Sequence, residues 1–317
     1  CVRLARLVIP STVEVIGDNP FASCPVLDLE NRSPRFKLEN GLLLNHEGTR
    51  LVYCSIKGGD AEVVIPHGVY SIGKHAFYNC QRLERITLPP TVRIIENNPF
   101  SNLPRLRIEN QSPHFVFQDG ALYNSTFGTL FYYEHGRDAD HLRIPDGVRI
   151  IGRHSFYNCR SLRRLVIPSS VTTIGYNPFA GCSSLTIENH SPAYVYVDGA
   201  LYDQGMTELI HYSISNPARE FRVPDTVRRI GRSAFFQSQH LQCIHLPEGL
   251  TTIERSAFAG GADLRTVNIP ENVTSIGEWA FSLCPNLERP RLPAHTSFEA
   301  HTFAGNPMNT RRHGAVT

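Results

Sequence analysis

The sequence predicts a repeat solenoid of mostly short parallel strands with irregular or short helical connections, interrupted by three β-meander inserts. Three observations carry that prediction. An aliphatic–Pro pair recurs at Pro10, Pro66, Pro89, Pro145, Pro168, Pro224, Pro247, Pro270 and Pro293, in steps of 56 or 23 residues. A Phe keeps the same count at Phe21, Phe77, Phe100, Phe156, Phe179, Phe235, Phe258 and Phe281. Each 56-residue step also holds an Asn-Gly or Asp-Gly pair between β-rich runs, the strongest local hairpin signal. Periods of roughly 20–50 residues mark stacked units that share one core. Such a stack lengthens without enlarging its core, so the 317 residues read as a single solenoid rather than two domains.

One coil is plainest in Cys159–Phe179. Leu162, Leu165 and Ile167 mark a short strand, with alternation giving it one buried face. Pro168 has no N–H for a ladder and ends that strand. Val171 and Ile174 form a second apolar edge, Gly175 permits the following turn, and Phe179 fills the middle of the coil. The same skeleton recurs in Leu83–Phe100 and Leu264–Phe281.

This pattern resembles the leucine-rich repeat of the BspA-like (Treponema pallidum-type) family of bacterial surface proteins. The runs IPHGVYSIGKHAFYNC (65–80) and IPENVTSIGEWAFSLC (269–284) carry the resemblance, which extends over essentially the whole chain. It implies a leucine-rich-repeat solenoid that binds and does not catalyse. The expected location is the cell surface or the medium, and the expected role is protein–protein interaction, adhesion or host recognition. The expected partner is a host extracellular matrix or cell-surface protein, with no cofactor. No adhesive residue carries over, because the shared motif is structural. A scaffold for an enzyme or anchor domain outside this segment is the alternative. A glycan-binding module using Tyr123, Tyr132, Tyr133, Tyr202 and Tyr212 is another; the bland reading packs those tyrosines inside the inserts.

The long steps contain the inserts, at about 30–62, 109–141 and 188–220, so that coil and insert repeat together every 79 residues. Each is expected to be a three-stranded meander projecting from the solenoid. Its first turn is Asn40-Gly41, Asp119-Gly120 or Asp198-Gly199. Its second turn varies, and varying loop tips are where binding residues concentrate. His46, Glu47, Phe127 and Met206 are the candidates there. At each insert's start, Asn31, Asn110 and Asn189 head Asn-x-Ser sequons followed by Pro, which read as Asx or Ser turns.

Eight cysteines invite a disulfide or metal reading, but their positions oppose it. Cys24, Cys80, Cys159, Cys182 and Cys284 each lie three residues after a coil Phe, a slot that Leu103, Ser238, Gly261 and Asn306 fill elsewhere. That is a packing slot, in which a thiol acts as a small hydrophobe. Cys1 sits nine residues before Pro10, as Cys80 does before Pro89. It is therefore the sixth member of this structural ladder, and the segment reads as beginning in mid-coil, truncated at its N-terminus. Cys54 and Cys243 are off the ladder. At the other end, residues 293–317 read as an atypical terminal coil, loose from Arg311 onward.

Composition excludes little chemistry outright. The formal net charge of +2 is too mild for nucleic acid, and no apolar run approaches the ~20 residues of a membrane span. Among 31 basic residues 28 are Arg. No zinc-protease, hydrolase-elbow or phosphate-loop motif is present. Asp138 and Asp140 lack the rest of a calcium loop. His75 and His154 occupy one repeat position, read as a solvated edge and not as a metal site. One lateral pattern remains: Arg6, Arg85, Arg164 and Arg289 share an outward strand position that Cys243 interrupts. They form a candidate basic stripe for an acidic partner, or a solvated face copied by duplication.

Overall fold

The structure, a computed structural model, describes residues 4–17, 21, 24, 27–55, 61–78, 80–97, 99–135, 140–299 and 301–306. Cys1, Asp138 and the 311–317 tail lie outside them. The chain divides into two units, Cys1–Asp138 with Gly147–Cys159, and Ala139–Asp146 with Arg160–Thr317. Both are β-solenoids, and the described residues contain no α-helix, so of the irregular or short helical connections expected from sequence they show the irregular kind. These connections are tight turns that the sequence spacing sets.

Three turns build each coil. The first runs from Pro to the Val three residues on: Val92 N–H donates to Pro89 O at 3.2 Å, Val171 to Pro168 at 3.2 Å and Val273 to Pro270 at 3.1 Å. Proline supplies a carbonyl there and needs no N–H, which is why it tolerates the position. The second joins the coil Phe to the slot residue: Cys159 N–H donates to Phe156 O at 2.9 Å, Cys182 to Phe179 at 3.1 Å and Ser238 to Phe235 at 3.2 Å. The third joins that slot to the Leu opening the next strand, as in Leu83 N–H to Cys80 O at 2.9 Å. A helix would need a continuous i to i−4 ladder, and Pro-punctuated turns at 23-residue spacing leave no room for one.

Strands stack in two parallel ladders. In the first unit, Glu62–Val64, Arg85–Leu88 and Arg107–Asn110 pair in register, and Arg6–Ile9 pairs with Asp28–Asn31. In the second unit, His141–Arg143, Arg164–Ile167 and Thr186–Asn189 form one such sheet. Glu220–Arg222, Cys243–His245 and Thr266–Val267 form another. A second ladder of two-residue strands runs through Ser71–Ile72 and Ile94–Ile95 in the first unit. In the second unit it runs through Arg229–Ile230, Thr252–Ile253, Ser275–Ile276 and Ser297–Phe298.

The inserts are meanders, with Phe36–Glu39, Leu42–Asn45 and Arg50–Cys54 antiparallel in the first and matching strands in the others. Their first turns have φ of 47° and 76° at Asn40-Gly41, 49° and 77° at Asp119-Gly120, and 51° and 76° at Asp198-Gly199. Both central residues are left-handed, the type I′ geometry that Asn-Gly and Asp-Gly favour. The meanders do not project, however. Their third strand runs parallel to the short strand of the following coil, Arg50–Leu51 beside Ser71–Ile72 and Glu208–Leu209 beside Arg229–Ile230. The insert is thus a widened coil whose last strand belongs to the second ladder.

Candidate functional site

The first ladder has one buried and one exposed face. Its inward side chains, such as Ile86, Leu88, Leu165 and Ile167, are fully buried, and period-two alternation turns their neighbours outward. Arg6 and Arg85 in the first unit and Arg164 in the second lie exposed on strands of this ladder; Arg289 is exposed too but lies in no strand. Three of them meet carboxylates. Arg6 lies 3.1 Å from Glu30, Arg85 lies 3.4 Å from Glu62, and Arg164 is hydrogen-bonded to Glu188. Sequence reasoning followed the Arg column alone and missed its acidic neighbours. The signal was available, since Glu30, Glu109 and Glu188 recur every 79 residues. The face is therefore a mosaic of both charges.

These carboxylates are tuned by their partners. Hydrogen bonds from Arg32, then Arg6, hold Glu30 below the usual carboxylate range; Arg164, then His190, do the same for Glu188. Both stay ionised into mildly acidic solution.

The insert tips lie on the other sheet, so the structure does not bring them to the Arg column. Each tip is closed by one residue that sequence reasoning overlooked. Asn45 Oδ1 accepts Arg50 N–H at 2.8 Å, Asn124 Oδ1 accepts Thr129 N–H at 2.7 Å, and Asp203 Oδ1 accepts Glu208 N–H at 2.7 Å. His46 is exposed, with Nδ1 2.8 Å from Pro34 O, and exposed Glu47 accepts a hydrogen bond from Asn45 Nδ2 at 2.8 Å. Gly48, Phe127 and Met206 occupy the same left-handed position, with φ of 75°, 54° and 50°. That backbone is unusual for bulky residues. Phe127 is held by Tyr123, with centroids 5.3 Å apart, and Met206 packs on the core. Both are half-buried anchors of their own tips.

The sequon asparagines are fully engaged. Asn110 Nδ2 donates to Ser112 O at 3.1 Å and Phe115 O at 2.8 Å, while its Oδ1 accepts Ser112 N–H at 3.1 Å. Ser112 Oγ donates to Val92 O at 2.6 Å. Asn31 and Asn189 repeat this Asx turn.

The tyrosines offered as a glycan surface are all buried, which removes that use of them: Tyr123, Tyr132, Tyr133, Tyr202 and Tyr212 are among the core residues. The position of His75 and His154 also differs from expectation. It is left-handed in the described copies, at His75, His154, Asn177, Ser233, Ser256, Trp279 and His301. Half-buried His75 and His154 have rings 6.3 Å apart, and half-buried Trp279 stacks on exposed His301 at 4.5 Å. Among the described residues no three His, Cys, Asp or Glu gather to hold a metal ion, and no helix is long and apolar enough to cross a membrane.

Five of the ladder cysteines lie among the described residues. Cys24, Cys159, Cys182 and Cys284 are buried and Cys80 half-buried, and all seven described cysteines are thiols. Burial pushes the Cys284 thiol up to about 11.

Comparison with known proteins agrees with this architecture. No curated protein matches the sequence. A leucine-rich repeat protein from Eubacterium ventriosum is similar at 24% identity, over 86% of this chain and 72% of that one, with a TM-score of 0.50. A leucine rich cell surface protein from Faecalibacterium prausnitzii is similar at 22% identity over 86% and 93%, with a TM-score of 0.44. The pneumococcal vaccine antigen PcpA is similar at 16% over 86% and 87%, with a TM-score of 0.46. The BspA type leucine rich repeat region matches in six copies, over residues 53–131, 125–216 and 210–312. With most of its length matched and its coils closed by the same Pro, Phe and Cys positions, the chain belongs to the BspA-type leucine-rich repeat family.

Proposed function

We propose that this chain is a non-catalytic binding module, secreted or displayed on the cell surface, that mediates protein–protein interaction in adhesion or host recognition. The observation that carries the reading is the outward face of the first ladder. Register places Glu62, Arg85 and Arg107 side by side in one unit, and His141, Arg164 and Thr186 in the other. These exposed side chains stand on strands whose opposite face is locked in the core. The strand backbones set these polar side chains about 4.8 Å apart, so a partner meets a spacing that the fold has already fixed. Electrostatic complementarity of this kind supplies specificity and on-rate. Family membership supports the same class of function, since repeat stacks offer extended surfaces.

The test immobilises host matrix and cell-surface proteins, in native and deglycosylated form, and measures binding of the wild-type chain and of the R85E/R164E double variant. The expected result is saturable binding to a protein, unchanged by deglycosylation and weakened at least tenfold by the double variant. Both substitutions lie on exposed strand positions, and an unchanged melting transition will show that the fold survives. Binding untouched by the charge reversal removes the ladder face from the site. Antibody labelling of intact source cells tests surface display separately.

A further inference from the structure

The Arg column is broken at Cys243, and the break has a chemistry of its own. Cys243–His245 is a strand of the first ladder in the second unit. Residues two apart on a strand share a face, so both side chains point outward. Cys243 Sγ lies 3.4 Å from His245 Nε2, within hydrogen-bond reach for sulfur. Both are half-buried, whereas Cys24, Cys54, Cys159, Cys182 and Cys284 are packed in the interior. Cys80, the remaining half-buried thiol, points at a backbone carbonyl, Cys54 O, at 3.7 Å. Cys243 is thus the one described cysteine on the outer face with an imidazole at its sulfur.

We infer that Cys243 is a reactive thiol, activated by His245, that exchanges with small-molecule or peptide disulfides. The thiolate is the nucleophile, and an adjacent imidazole that accepts the thiol proton raises its availability near neutral pH. In the reaction His245 Nε2 takes the Cys243 proton. The sulfur then attacks one sulfur of a disulfide such as glutathione disulfide. A Cys243–glutathione bond forms and the glutathione S–S bond breaks. The second glutathione leaves as a thiolate and is protonated, so the protein thiol is oxidised as one glutathione is reduced. The surroundings allow approach. Glu220 lies opposite Cys243 and Arg222 opposite His245 on one neighbouring strand; uncharged Thr266 lies opposite Cys243 on the other. Asn268, next along, is bonded to Leu246 N–H and O at 2.8 and 3.1 Å. The charged groups on the strands flanking the pair are thus the Glu220 carboxylate and the Arg222 guanidinium.

The experiment treats the folded, reduced chain with Ellman's disulfide and with glutathione disulfide between pH 5.5 and 8.5, and locates the product by peptide mass mapping. One equivalent is expected to react fast and to map to Cys243. C243S abolishes that phase, and H245Q slows it about a hundredfold at pH 6.5, the lower end of the range for a positioned base. The wild-type rate is expected to hold a plateau below pH 7, and H245Q to lose it. H245N, which keeps the polar shape without the base, reacts as slowly as H245Q. Two results overturn the inference: a fast equivalent on Cys80 or another cysteine, or a wild-type pH profile that simply rises like that of free glutathione. The profile needs no variant, so the inference stands or falls even if a substitution disturbs the fold.

Discussion

The plain coils at the C-terminal end and the widened coils at the inserts solve one packing problem in different ways. In the plain run each coil gives one Phe, and the rings stack face to face. Phe235 to Phe258 is 5.0 Å with planes 17° apart, Phe258 to Phe281 is 4.9 Å and 8°, and Phe281 to Phe303 is 5.4 Å and 7°. An insert coil has no such Phe. Two consecutive residues at the end of its third strand serve instead, one facing each way. Tyr132 meets Phe100 at 5.7 Å while Tyr133 meets Phe156 at 5.4 Å, in the first unit. In the second unit His211 meets Phe179 at 5.4 Å and Tyr212 meets Phe235 at 5.0 Å. These contacts are tilted by 30–63°, unlike the near-parallel plain stack. A strand sandwiched between two coils buries both faces, and among the described residues the buried tyrosines and histidines all lie in the inserts. Repetition thus fixes where an aromatic must be, and the insert changes which element delivers it.

The largest expected effect falls on the plain stack. Phe258 is covered on both faces, so F258A removes a buried ring that neighbouring coils cannot replace. A loss of about 3–5 kcal/mol follows, read as a fall in the denaturation midpoint. A loss below about 1 kcal/mol would show that adjacent coils slide together to close the gap.

Next comes a dependence on pH carried by two histidines of the insert coils. Burial lowers His211 and His135 to about 4. The unfolded chain protonates them near 6.5, but the folded chain does so only near 4. Stability is therefore full above about pH 6.5 and falls as pH drops from there to about 4, by about 3 kcal/mol per histidine. The equivalent of His211 is Tyr53 in the first insert and Tyr132 in the second. H211Y should remove about half of that slope. Melting temperatures of both chains at pH 7, 5.5 and 4.5 check this, and parallel curves would contradict it.

The smallest effect concerns one oxygen. The buried Tyr212 hydroxyl has no hydrogen-bond partner among the described residues. Removing a buried unpaired polar atom relieves a desolvation cost, so Y212F should stabilise by about 1 kcal/mol. Chemical denaturation of the two chains at pH 7 makes the comparison, and a destabilised Y212F would reveal a hidden partner for the oxygen.

Much of the fold was legible because local chemistry and period agree. Pro168, Phe179 and Cys182 sit where turns must close, and Asn40-Gly41 needs two left-handed residues. The Asx turn at Asn110 was readable from Asn, Ser and Pro alone. The candidate site was less legible. Arg85 could be placed outward by alternation, but Glu62 beside it is 23 residues away in sequence, and only register brings them together. Phe127 and Met206 were singled out as variable tips. Their half-buried packing depends on the third loop position being left-handed, which no single residue type announces.

The sequence by itself determined the coil: its length, its turns, its buried positions and the slot its cysteines fill. It did so because each depends on contacts within one repeat or between identical neighbours. Tertiary structure alone decided that the meanders join the second ladder, that the basic column is balanced by acids, and that Cys243 faces His245. Those outcomes rest on which strand lies beside which, and on the side-chain conformations that follow. The hydrophobic period fixes the stacking but leaves the outward face free to vary.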